Sequence, residues 1–153
     1  MDIAIDKFED EGVLTLLEEH LADMYATSPP ESVHALDVEG LKAPSITFWS
    51  ARVDNVPLGC IAMKQLDDKQ AEIKSMRTST SSRGQGVATQ LLAHLIVEAK
   101  ARGYQKLSLE TGSMDFFKPA RRLYQKHGFT YCEPFGDYSY DPNSLFMELY
   151  LSE

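Results

Sequence analysis

A short glycine-containing turn is the feature that most constrains this chain, because it separates a strand-like segment from the longest helix-like segment. Residues 71–78 have the composition and spacing of a strand. Residues 87–99 carry a wide apolar face at helical spacing. Gly84 and Gly86 lie between them, and residues 107–111 form another strand pattern after the helix. This order predicts two parallel strands joined by a right-handed helical crossover.

The rest of the chain predicts a mixed α/β sheet flanked by helices, in the order β-α-α-β-β-β-α-β-α-β-β. The 153 residues suit one domain, and no linker or repeat interrupts them. Beyond the crossover unit, we expect strands near residues 3–5, 45–53, 59–66, 129–132 and 145–151, and helices over residues 14–25, over residues 31–41 and from Pro119 to about Gly128.

Charge narrows the list of partners. Fifteen basic and 23 acidic side chains give a net charge of −8, so we expect no nucleic-acid partner and no membrane partner, whereas a cationic substrate is compatible. The chain shows neither a signal-peptide pattern nor a membrane-spanning run, which predicts a cytoplasmic protein. Cys60 and Cys132 are interpreted as buried, reduced thiols. No cluster has metal-ligand spacing, so we expect no metal ion.

The glycine turn has the chemistry of an anion site. Free N–H groups at a helix start carry partial positive charge that suits a phosphate. The segment is not a Walker loop, and Thr89 breaks the GxGxxG pattern. It does match Arg-x-x-Gly-x-Gly/Ala at Arg83, Gly86 and Ala88. Residues 120–129 further match A-x-x-L-Y-x-x-x-G-F.

These two motifs, their spacing and the predicted element order resemble the GCN5-related N-acetyltransferase (GNAT) family across essentially the whole chain. Residues 29–37 and 134–144 are similar to a small bacterial branch of unassigned substrate. The resemblance implies a single N-acetyltransferase domain over residues 1–153. It also implies that acetyl-CoA binds in a V between the splayed fourth and fifth strands. The cofactor-binding residues carried over from the family are Met76, Thr78, Arg83, Gly84, Gln85, Gly86, Val87, Ala88, Thr89 and Ser113, the last in place of the family's usual asparagine.

Amide formation requires a neutral amine, so a group must accept its proton. The alternatives are Glu72 on the fourth strand, Glu110 at the end of the fifth strand, and His34. Glu72 and Glu110 together predict an acidic pocket that attracts an alkylammonium. Tyr124 matches the family tyrosine near the CoA sulfur, which implies a general acid for the leaving thiolate. Met114, Phe116 and Phe117 are interpreted as core and lid packing.

The leading hypothesis is direct transfer of an acetyl group from acetyl-CoA to the primary amine of a small-molecule acceptor in a ternary complex. The alternatives are a non-catalytic acyl-CoA-binding or regulatory module, and a protein amino-group acetyltransferase. A cavity roofed by residues 25–41 and 134–144 favours a small acceptor, whereas an open groove favours a protein. The resemblance also leaves a homodimer open, because family members are often dimers.

Overall fold

Seven strands form one sheet in the order β1-β2-β3-β4-β5-β7-β6. The structure, a computed structural model, describes residues 1–151. Its strands are β1 (Asp2–Ile5), β2 (Ile46–Val53), β3 (Val56–Gln65), β4 (Gln70–Thr78), β5 (Lys106–Gly112), β6 (Thr130–Cys132) and β7 (Ser144–Tyr150). The helices are α1 (Glu11–Thr27), α2 (Val38–Leu41), α3 (Val87–Ala101) and α4 (Lys118–Lys126), with short 3₁₀ turns at Pro30–Ser32, Thr80–Ser82 and Asp115–Phe117. The predicted mixed α/β fold and its element order are confirmed.

The second predicted helix is wrong over most of its length. Residues 31–41 contain only the end of the Pro30–Ser32 turn and the four-residue α2, and residues 33–37 are not helical. The Asp37 carboxylate caps α2 by accepting a hydrogen bond from the Gly40 amide at 2.8 Å, which starts a new helix there. The preceding residues leave the helical path and border the cleft described below.

The helix starts follow local capping chemistry. The Asp10 side chain accepts a hydrogen bond from the Gly12 amide at 2.6 Å and caps α1. Gly86 precedes α3 with φ +80°, a left-handed conformation that favours glycine. Pro119 lies in the first turn of α4, where its missing N–H costs nothing.

The central parallel pair separates partway along its length. β4 and β5 pair in parallel from Gln70↔Lys106 to Ile73↔Leu109, and no further pairs join them. Beyond that point β4 stays paired with β3, and β5 stays paired with β7. The two strands therefore open into a V. A register shift between β3 and β4 falls opposite Ser75, whose φ is +55°, as expected of a β-bulge beside a functional site.

Two apolar clusters hold the layers together. The larger lies between the sheet and helices α3 and α4, and includes Trp49, Leu91, Leu95 and Leu107. The smaller packs α1 and α2 on the sheet. Cys60 is fully buried, but Cys132 is only half-buried, so the expectation that both thiols are buried holds for one of them. Both are free cysteines. Within residues 1–151, no helix combines the length and hydrophobicity needed to cross a bilayer.

Candidate active site

A cleft of about 780 Å³ opens where β4 and β5 separate. Its size falls in the usual range for small-molecule sites. One end lies at the glycine turn before α3, the middle at Tyr124 of α4, and the other end at Glu72 and Glu110. The cleft is therefore continuous from the start of α3 to two carboxyl groups.

The glycine turn leaves open space where a ligand could approach the backbone. Gly84 and Gly86 have φ values of +79° and +80°, and a Cβ added at either would meet no atom within 4 Å. Val87 begins α3, so its first N–H groups lack helical partners there. Arg83 is exposed beside the turn and lines the cleft. These features fit a pyrophosphate without a Walker motif.

Tyr124 stands in the middle of the cleft. The residue is only 6% exposed, and its hydroxyl lies 4.0 Å from the Met76 sulfur. Burial, reinforced by the charge of Glu110, raises the pKa of Tyr124 well above its usual value of 10.0. The hydroxyl therefore keeps its proton at neutral pH and is available as a hydrogen-bond donor.

At the far end, Glu72, Lys74 and Tyr138 form a closed triangle. The Tyr138 hydroxyl donates to Glu72 Oε2 at 2.6 Å. Lys74 Nζ donates to the same carboxylate oxygen at 3.2 Å and to the Tyr138 hydroxyl at 3.1 Å. The side chains of Glu72 and Lys74 are 4% and 8% exposed. This arrangement corrects the expected acidic pocket, because the Lys74 ammonium offsets the charge of Glu72.

Glu110 and His34 occupy the same end of the cleft. Burial raises the pKa of Glu110, against the opposing charges of His34 and Lys74. His34 packs edge-on against Tyr138, with the ring centroids 5.0 Å apart. The three predicted base candidates, which also include Glu72, thus all border one cavity.

Two distant segments meet above this end of the cleft. The Ser32 hydroxyl donates to the Asp141 carboxylate at 2.6 Å, and Asn143 Nδ2 donates to Ser32 at 3.5 Å. Together with the packing of His34 on Tyr138, these contacts join residues 32–34 to residues 138–143. Residues 32–34 and 138–143 therefore form a roof over this end of the cleft.

Most predicted site residues border the cleft, and two do not. The lining includes Glu72, Met76, Thr78, Arg83, Gly84, Gly86, Val87, Ala88, Thr89, Glu110, Tyr124 and His34. Gln85 and Ser113 are outside that lining. The Ser113 hydroxyl donates to the Pro142 carbonyl at 2.8 Å, so it is already engaged with the roof segment. Phe116 and Phe117 do line the cleft, and only Phe117 is buried.

The sequence analysis missed Tyr138 and the surroundings of Arg77. The Arg77 guanidinium forms ion pairs with Asp23 and with Glu19, the latter at 3.3 Å, and so ties α1 to β4. Burial lowers the pKa of the neighbouring His20 to about 4, which keeps that ring neutral. Alternation along β4 could have indicated that Lys74 shares a face with Glu72. No local pattern indicated Tyr138, because it lies in an irregular segment 66 residues beyond Glu72 in the sequence.

Comparison with known proteins identifies the family. The Acetyltransferase (GNAT) family profile matches residues 13–129. The chain belongs to the GNAT acetyltransferase family. Relatives of this GNAT protein include YsnE of Bacillus subtilis (strain 168), an uncharacterized N-acetyltransferase that is 56% identical over 147 residues, covering 96% of this chain and 97% of the relative. YedL of Escherichia coli (strain K12), also an uncharacterized N-acetyltransferase, is 45% identical over 151 residues, covering 99% and 95%.

A third relative, named IAA acetyltransferase, comes from Azospirillum brasilense and is 39% identical over 142 residues, covering 90% of each chain. Among solved structures, a Klebsiella pneumoniae protein described as an acyl-CoA N-acyltransferase superposes with a TM-score of 0.83 at 26% identity, covering 99% of this chain and 97% of that one. A GNAT acetyltransferase of Elizabethkingia anophelis with acetyl-CoA bound shares the fold, with a TM-score of 0.69 at 22% identity, covering 98% and 97%. This GNAT protein is accordingly an acetyl-CoA-dependent N-acetyltransferase.

We expect the glycine turn to be essential for CoA binding. Gly86→Glu would place a side chain and a negative charge at the helix start, where they repel a pyrophosphate. Gly103→Glu is the matched control, because Gly103 has a similar φ of +85° and equally open surroundings at the other end of α3. Calorimetry should show loss of CoA binding for Gly86→Glu alone. Equal affinities in the two folded variants would contradict the assignment.

We also expect Glu110 to reduce stability at neutral pH. Its native pKa is raised above the ordinary value of 4.5, so the native state holds its proton more tightly than the unfolded state. Burying the charge lowers the free energy of unfolding. This loss of stability is absent below pH 4.5, grows as pH rises towards the native pKa, and stays constant above the native pKa. Glu110→Gln should therefore raise Tm at pH 7 and leave it nearly unchanged at pH 3.5. Glu133→Gln, at an exposed position, should show no such pH-dependent difference in thermal melts.

Proposed function

We propose that this protein transfers the acetyl group of acetyl-CoA to the primary amine of a small-molecule acceptor by direct attack in a ternary complex. The observation that carries the proposal is the single roofed cleft, which runs from the glycine turn past Tyr124 to two carboxyl groups. Such a cleft brings two substrates together and supplies much of the rate enhancement through proximity.

The roof favours a small acceptor over a protein. Contacts between Ser32 and Asp141, and between His34 and Tyr138, close the cleft above the carboxyl groups. A protein lysine or a protein N-terminus would need an open groove for its flanking backbone. The alternative of a non-catalytic acyl-CoA-binding module is disfavoured because the cleft continues beyond Tyr124 into space lined by ionisable groups, which a simple cofactor site does not need.

We assign the base to Glu110 rather than Glu72. Glu72 Oε2 already accepts hydrogen bonds from both Lys74 and Tyr138, so this oxygen is occupied within the protein. Glu110 has a raised pKa, which makes it a better proton acceptor near neutral pH. In the proposed reaction, Glu110 removes a proton from the ammonium through a water. The amine nitrogen then bonds to the thioester carbon, the carbon–sulfur bond breaks, and the nitrogen loses its second proton to solvent, which leaves a neutral amide.

Tyr124 would assist the departing thiolate. Its raised pKa makes complete proton transfer to the sulfur unfavourable, because thiols are considerably stronger acids. A hydrogen bond from the buried hydroxyl to the developing thiolate avoids that difficulty and still stabilises the transition state. The thiolate then takes its final proton from solvent. This role refines the expectation of a general acid into that of a hydrogen-bond donor.

A thiol-release screen should cover small primary amines and test IAA separately beside them, since the Azospirillum brasilense relative is named an IAA acetyltransferase. The free thiols Cys60 and Cys132 support a cytoplasmic location.

Replacing Tyr124 with Phe should slow turnover. The variant keeps the ring and removes the hydroxyl, so kcat should fall by about 10²-fold, the usual cost of losing one preorganised donor. The affinity for acetyl-CoA should change little. Tyr104→Phe is a matched control, because Tyr104 packs against the same core outside the cleft. Steady-state kinetics with kcat near that of the wild type would reduce Tyr124 to a packing residue.

Comparing Glu110→Gln with Glu72→Gln should identify the base. If Glu110 accepts the proton, the acidic limb of the kcat/KM profile disappears in Glu110→Gln and remains in Glu72→Gln. Glu72→Gln should instead raise KM and leave the pH profile intact, because it disturbs the binding of the acceptor. The assignment is reversed if the limb is lost only in Glu72→Gln. His34 becomes the candidate if both variants retain it.

A further inference from the structure

The acceptor end of the cleft presents a buried positive charge beside its carboxylates. Lys74 and Glu72 are two residues apart on β4 and therefore share a face of the sheet. Glu110 follows the last β4–β5 pair on β5, directly across the opening from Lys74. All three border the cavity. An acceptor that occupies this end must meet both signs of charge.

Lys74 retains hydrogen-bonding capacity after its contacts within the protein. An ammonium has three donors, and among residues 1–151 the side-chain partners of Lys74 are Glu72 and Tyr138. The Tyr138 hydroxyl donates its only hydrogen to the hydrogen bond with Glu72, so it can only accept from Lys74. One Lys74 donor therefore remains, on a side chain that is 8% exposed and borders the cavity.

Fold stability does not explain this ion pair. The free-energy penalty of removing two charges from water often exceeds the gain from their attraction, so proteins with apolar residues in place of a buried ion pair are frequently as stable. A simple alkylammonium would also gain nothing from Lys74 and would be repelled by it. A carboxylate on the acceptor, by contrast, would take up the remaining donor in a charge-assisted hydrogen bond.

We propose that the acceptor is a small amino acid, with its amine beside Glu110 and its carboxylate bound by Lys74. This inference rests on the proposed acetyl transfer to a small amine and specifies the class of acceptor. Because Lys74 and Glu110 lie across from one another at the opening of the V, the two charged groups of the acceptor must be close together. That requirement fits α- or β-amino acids better than long diamines or polyamines.

Matched acceptor pairs test the proposal. L-methionine, L-leucine and L-phenylalanine are each compared with their amides, and phenethylamine is added, with kcat/KM measured by acetyl-CoA-dependent thiol release. At least one acid should exceed its amide by about tenfold or more, the scale of a lost hydrogen bond to a charged group. The amide has the lower amine pKa and more neutral amine, so intrinsic reactivity would favour it. A preference for the acid therefore reports recognition of the carboxylate.

Variants then assign that recognition to one side chain. Lys74→Met should bring the acid-to-amide ratio within about threefold of unity, whereas Lys74→Arg should retain a preference for the acid. Lys100→Met, at an exposed position on α3, should keep the wild-type ratio. Because Lys74→Met leaves Glu72 buried without its cation, the double variant Glu72→Gln/Lys74→Met is also prepared. Calorimetric binding of the acid and the amide to the CoA-loaded double variant should show the same loss of discrimination.

The outcomes separate this inference from the proposed function. If the wild type acetylates amides or phenethylamine and rejects the acids, the amino-acid class is overturned while acetyl transfer to small amines stands. An acid preference that survives in Lys74→Met and in the double variant overturns the role of Lys74. If none of these compounds is acetylated, the amino-acid class is overturned, and a broad amine screen decides the proposed function separately.

Discussion

The loss of hydrogen bonding between β4 and β5 after Ile73↔Leu109 is the constraint on which the rest of the site depends. Each strand keeps its other neighbour beyond that point, so the sheet stays intact while a gap opens in its middle. Backbone groups along the inner edges of the gap become free to pair with a ligand. The crossover helix α3 begins beside the same gap, and the residues of its first turn line the cleft. One interruption in the sheet therefore creates a channel that reaches the start of α3.

The electrostatics of the cleft differ from one end to the other. Near the glycine turn the positive field comes from the backbone, with Arg83 exposed beside it. At the other end the charges are side chains that are largely removed from water, where interactions between them are screened less. Glu72 accepts hydrogen bonds from Lys74 and Tyr138, whereas desolvation raises the pKa of Glu110. Two carboxyl groups in one cavity can therefore have different tasks, one in binding and one in proton transfer.

The fold was largely predictable because its information is local. Alternating apolar positions, the two glycines and the Pro119 start determine strands and helices from neighbouring residues. The helix predicted over residues 31–41 was wrong, although the apolar residues there have helical spacing. His34 instead packs against Tyr138, and the Asp37 cap starts a separate short helix. The prediction of an acidic pocket was incomplete because it, too, depended on contacts between residues that a local pattern does not show. Counting carboxylates could not show that Lys74 donates to Glu72, or that Tyr138 reaches Glu72 from a loop distant in sequence.

The roof joins two stretches of irregular chain, one before α2 and one between β6 and β7. Neither stretch contains the glycine turn or Tyr124. Substitutions that reshape the roof would therefore leave the cofactor half of the cleft largely undisturbed. A protein organised in this way can change its acceptor through a few loop mutations while its chemistry stays under separate selection. The same separation makes the two stretches the natural targets for a library that redirects the enzyme to new amines.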